Sequence, residues 1–206
     1  MRRHITDMTV GWEVGRVREI VADTLDEVIG PLVFPGAAAL IASHRRRGHD
    51  VIIVSASGLE VVEPIGAMLG VDRIRASRMK VVDGRYAGEL DFYCYGDQKA
   101  EAVAAEALEH GYDLTRCYAY SDSVTDLPML SAVGHPVAVN PDRQLRRIAG
   151  ERGWPVLDFE LARPPADHPD DTGRRILAGL AVGAVAATAA AAAAGVGMRL
   201  AQPRHA

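Results

Sequence analysis

The sequence predicts an α/β fold, a mostly parallel sheet with helices on both faces. Short β-branched runs such as DVIIVSAS alternate with longer segments whose apolar residues recur at helical spacing. The strand-like runs are apolar throughout, as expected for strands buried on both faces. Small polar or acidic residues stand just after three of them: Ser55 after VIIV, Asp122 after CYAYS and Asn140 after PVAV. In parallel sheets ligands gather beyond the carboxyl ends of the strands, so these positions are where function is expected.

Met1 to about Gly30 reads as a helix on Val14, Val17, Ile20, Val21, Leu25, Val28 and Ile29, broken by Pro31 and Pro35. A second helix starts near Pro35 and is stopped by Gly48. The strand DVIIVSAS follows, then a helix from about Leu59 to Leu69 closed by Gly70. RMKVVDGRYAGEL carries an Asp83-Gly84 turn between alternating runs and reads as a hairpin. A helix from about Gln98 to His110 leads to a strand near Cys117 to Tyr120 and a helix around Val124 to Val133. Pro136 to Val139 reads as a strand, Arg143 to Arg152 as a helix, and WPVLDF as a last strand. From Leu161 to Gly173 the chain is rich in Pro and Asp and reads as a linker.

The formal charge of −4 is mild and offers no argument for a nucleic-acid partner. Cys94 and Cys117 form neither a disulfide framework nor a CxxC pair, which suits a reducing cytosol. The N-terminus has no apolar stretch of the secretory kind. Ile176 to Met198 is uncharged and bounded by Arg174-Arg175 and Arg199, long enough to span a bilayer core. It is mostly Ala and Gly, hence only marginally hydrophobic. The expectation is a tail anchor that leaves the domain in the cytoplasm at the inner membrane; the competing reading is an Ala-rich helix that stays in water.

Three positions bear on chemistry. Asp122 and Asp126 leave a strand end together and can aim two carboxylates at one hard cation such as Mg2+, although either Asp122 or Ser123 could instead cap the next helix. Ser55 can hydrogen-bond a phosphate oxygen beside a helix start, or merely cap that helix. Of the 23 basic residues only Lys80 and Lys99 are lysine. Lys99 opens a helix, where a compact ammonium can sit between a phosphate and a carboxylate; its plain alternative is solvated surface.

In order and context these residues resemble the haloacid dehalogenase (HAD) superfamily, and within it the phosphoserine-phosphatase-like branch, subfamily IB. Ser55 in VIIVSAS is similar to that family's second motif, Lys99 in GDQKAEAV to its third, and Asp122 with Asp126 in YSDSVTDLPML to its fourth. The resemblance covers roughly residues 10 to 160. It implies a HAD-like Rossmannoid core over residues 31–160, preceded by the remnant of a helical cap over 1–30. A linker over 161–175 and the candidate transmembrane helix over 176–198 would follow. It further implies a Mg2+-dependent phosphomonoester hydrolase acting on a small phosphorylated metabolite through an aspartyl-phosphate. Lys99, Asp122 and Asp126 would be catalytic, Ser55, Ala56 and Lys99 would hold the substrate phosphate, and Asp122 and Asp126 would hold the metal. The alternative is a non-catalytic, membrane-tethered module that binds phosphate or Mg2+.

The family's first motif, a hydrophobic strand followed by D-x-D-x-[TV], has no match. HITDMTV comes nearest, with Asp7, Thr9 and Val10 in place, but Ile5 stands where the nucleophile belongs. No apolar strand precedes it, and too few residues separate Asp7 from Ser55 for a cap. The expectation is a chain that begins inside the cap, lacks a central strand, and has two buried strand edges left to satisfy.

Overall fold

The computed structural model describes residues 9–25 and 29–161. DVIIVSAS forms β1 (Ile52–Gly58), whose first four residues are buried. It pairs in parallel with β2 (Arg73–Val82), Ile52 opposite Arg73 through Ser55 opposite Ala76. Past that ladder β2 continues into the expected hairpin, turning at Asp83-Gly84 into antiparallel β3 (Arg85–Phe92). The strand thus starts at Arg73 rather than Arg78. Its first half is hidden in the sequence because it alternates arginines with core residues. Ile74 and Ala76 pack against Val62 and Ile53, while Arg73 and Arg75 pair with the fully buried Glu106.

A second sheet holds β4 (Tyr118–Ser121), β5 (His135–Val139) and β6 (Val156–Leu157), all parallel. The single sheet expected from the strand pattern is therefore two sheets of three strands. β1 ends one and β4 ends the other, and among the described residues no strand pairs with their outer edges.

The helices are α1 (Val14–Thr24), α2 (Pro35–Arg46), α3 (Leu59–Leu69), α4 (Asp97–His110), α5 (Leu127–Ser131) and α6 (Arg143–Arg152). Within the described residues, the helix expected from Met1 is interrupted by a turn at Val10 and Gly11, closed by Trp12 N on Thr9 O, before α1 begins at Val14. Gly11 N donates to Tyr86 O, Tyr86 N to Trp12 O and Val14 N to Gly84 O, which ties this turn to β3. The helix expected over Val124 to Val133 is instead a 3₁₀ turn, Val124–Asp126, followed by α5. Ser123 accepts from Thr125 N at the start of that turn, and Pro128 lies in the first turn of α5.

One core joins the two sheets. Ile52 and Val54 of β1 meet Ala119 of β4, Ala102 and Val103 of α4, Leu130 of α5, and Leu145 and Ala149 of α6. On the opposite faces, Ile41 of α2 and Val62 of α3 cover β1 and β2, while Leu40 of α2 covers Tyr120, Val137 and Val139. Helices therefore line both faces, as expected for this fold class. No helix among the described residues is long and apolar enough to cross a membrane. The candidate span Ile176–Met198 and nearly all of the expected linker lie outside the described residues, as does Asp7.

Candidate active site

β1 delivers Ser55 to its carboxyl end, where the side chain is almost fully buried. The hydroxyl does not cap α3, whose N-cap Gly58 has no side-chain cap bond. It accepts instead from Ser57 N, at 3.2 Å. Ala56 and Ser57 leave the β1–β2 ladder in a bulge between Ser55 and Gly58, which turns the chain at this point.

Lys99 lies in the first turn of α4 and is only 3% exposed, so the solvated-surface alternative fails. Its Nζ lies 2.7 Å from Asp126 Oδ2. The same oxygen accepts from Ser121 Oγ, also at 2.7 Å. Asp126 Oδ1 is buried and has no hydrogen-bond partner among the described residues. A buried carboxylate oxygen without a donor is costly.

Asp122 leaves β4 half-buried and forms no salt bridge among the described residues. Burial holds its carboxyl above the usual carboxylate range; its own backbone N–H opposes this, and Asp126 adds to it. Capping falls to its neighbour, since Ser123 accepts from Thr125 N. The loop is pinned to the next strand end: Asp142 N donates to Asp122 O and Val124 N to Asp142 Oδ2, both at 2.7 Å.

Cys94 lies between the two halves of the site, fully buried. Its Sγ reaches Arg75 O at 3.7 Å, and the charges of Lys99 and Asp126 act on it electrostatically. Burial pushes its thiol up to about 11, so it is an inert packing group at neutral pH. Lys99 and Asp126 thus meet by the carboxyl end of β4, with Asp122 beside Asp126 on its loop, while Cys94 is linked through Ser77 to Ala56 at the carboxyl end of β1.

Sequence reasoning passed over Ser121, Cys94, Asp142 and Ser77. Asp142 was open to detection, because NPDRQL places an acid just before a helix, and its side chain does accept from Leu145 N. Ser121 stands in the YSDS motif itself. Ser77, in the polar run RIRAS, carried no signal.

The chain is also similar to known proteins. Residues 1–131 match the family model described as haloacid dehalogenase-like hydrolase. The chain belongs to this family. A probable phosphatase of Mycobacterium tuberculosis is 51% identical over 193 residues, covering 90% of this chain and 67% of that protein. A phosphoserine phosphatase of the same organism is 40% identical over 154 residues, covering 73% of this chain and 50% of its own length. Among solved structures, a Bordetella pertussis protein of unknown function superposes with a TM-score of 0.71 at 29% identity, covering 76% of this chain and 72% of that one. The chain thus spans about two thirds of the first of these HAD relatives and half of the second.

Proposed function

We propose that the protein is a HAD phosphatase, phosphoserine-phosphatase-like, that hydrolyses a small phosphomonoester with the help of Mg2+. The observation that carries this reading is Asp126 Oδ1, a buried acceptor with no partner among the described residues, beside a half-buried Asp122 that makes no salt bridge among them. An all-oxygen, carboxylate donor set suits a hard divalent cation. Asp122 would hold Mg2+ directly, Asp126 would support its water shell through Oδ1, and the ion would supply charge neutralisation for a phosphoryl group.

Ser55, with its oxygen already accepting from Ser57 N, has its proton free for a phosphate oxygen. Ala56 stands at the bulge beside it as a second phosphate-binding position. Lys99 offsets Asp126 and adds a donor toward the same phosphate, a charge-assisted arrangement of the kind that favours phosphoryl transfer. In the family's aspartyl-phosphate route the attacking carboxylate would come from a further strand between β1 and β4; that both strands end their sheets beside one core supports this reading. Residues 31–160 would then be the hydrolase core and residues 1–30, which include α1, the remnant of its cap. The names of the two mycobacterial relatives support turnover over the alternative of a module that only binds phosphate or Mg2+.

The test is release of phosphate from an aryl phosphate. In a protein that carries the attacking carboxylate as well, hydrolysis that needs Mg2+ and is lost in Asp122→Asn is expected. Phosphate binding with no turnover, in a folded protein supplied with Mg2+, would point to the binding module instead.

A further inference from the structure

We infer that Ser77, a residue of β2 outside the site proper, is the positioning residue for Ser55. The inference rests on the reading that Ser55 binds the substrate's phosphoryl group. Ser77 is 4% exposed and sits where the β1–β2 ladder breaks, opposite Gly58. Cys94 N lies 3.0 Å from Ser77 Oγ, and Ser77 Oγ lies 2.7 Å from Ala56 O. A backbone N–H can only donate and a carbonyl can only accept, so the hydroxyl proton must point at Ala56.

That one bond grips a peptide plane. The carbonyl of Ala56 and the N–H of Ser57 belong to the same planar unit, and Ser57 N–H donates to Ser55 Oγ. The relay therefore runs from Cys94 N–H through the Ser77 hydroxyl and the 56–57 peptide to the oxygen of Ser55. Ala56 has left the regular ladder, so the Ser77 hydroxyl replaces a bond that a continuous strand would have made. Cys94 also holds β2 through its side chain, since its thiol reaches Arg75 O at 3.7 Å. Three segments, from β1, β2 and the end of β3, thus converge on the orientation of one hydroxyl. Buried hydrogen bonds in such a chain reinforce one another, and cutting one leaves its neighbours unpaired.

Two consequences separate positioning from plain packing. Ser77→Thr keeps the hydroxyl and suits a strand, whereas Ser77→Ala and Ser77→Cys keep the space filled to different degrees without a good donor. Binding of inorganic phosphate in the presence of Mg2+, measured by calorimetry on folded protein, reads the outcome. Ser77→Ala and Ser77→Cys should each bind phosphate about tenfold more weakly, the scale of one hydrogen bond to a charged group. Ser77→Thr should stay close to wild type. Ser55→Ala serves as the reference: if it binds phosphate as wild type does, the phosphate reading of the site falls and this inference with it. If Ser55→Ala loses binding while Ser77→Ala and Ser77→Cys keep it, the inference alone is overturned. It is overturned equally if Ser77→Thr binds as poorly as Ser77→Ala.

Discussion

Two acids four positions apart do different work in this site, and the difference is local electrostatics. Asp126 is nearly buried but is balanced by the Lys99 ammonium and the Ser121 hydroxyl on one oxygen. Asp122 makes no salt bridge among the described residues, and burial raises its pKa. A raised value means that the folded state holds the proton more tightly than the unfolded chain does. Its favourable contribution is therefore complete below the ordinary carboxylate value of 3.8 and is lost as the pH rises through the folded value. At neutral pH the ionised Asp122 destabilises the metal-free fold. Asp122→Asn, of the same shape and without the charge, should melt above wild type at pH 7 in EDTA. The gap should close as the pH falls toward 3.8. Calorimetric scans across that range check this; a gap that stays constant with pH would refute the assignment.

At the scale of elements, legibility followed where the physical signal lay along the chain. The helices near Leu59–Leu69 and Arg143–Arg152 were readable, because apolar spacing sets their faces and Gly70 and Gly153 end them in left-handed conformations. Arg73–Ser77 was not, since its arginines are satisfied by a glutamate 33 positions away on α4, a partner that no local window contains. The site showed the same division. Lys99, Asp122, Asp126 and Ser55 stand at strand and helix ends, where they can be read. Ser77 acts only through the fold of three segments. Element packing also hinges on one close approach. A Cβ on Gly134, in the turn before β5, would lie 1.7 Å from the Thr115 carbonyl oxygen, so the backbone itself would have to move. Gly150, in α6, has nothing within 4 Å of the same atom. Gly134→Ala should cost about 1–3 kcal/mol or more as overpacking. Gly150→Ala should gain roughly 0.5–1 kcal/mol as an exposed helical glycine replaced. Urea titrations of the two variants measure both, and equal effects would contradict the packing described.

At the scale of the whole molecule, two sheets without a shared ladder still make one body, because their hydrophobic faces do not divide. Ile52 and Val54 from one sheet and Ala119 and Ala138 from the other line the same cluster, closed by Leu130, Leu145 and Ala149. Both halves of the site depend on this union, since Ser55 rides on β1 and Asp122 follows β4. Leu145 tests it, being fully buried in α6, which packs against β5. Leu145→Ala should cost about 2–5 kcal/mol through lost burial and the cavity left behind. If the core is one cooperative unit, that loss must appear in both sheets. Amide hydrogen exchange should show protection falling by the same factor in β1 and β2 as in β4 and β5. Protection that drops only in the second sheet would show the two halves opening independently, with Ser55 then held by its own sheet alone and the distance between phosphate-binding and acidic residues no longer fixed by the core.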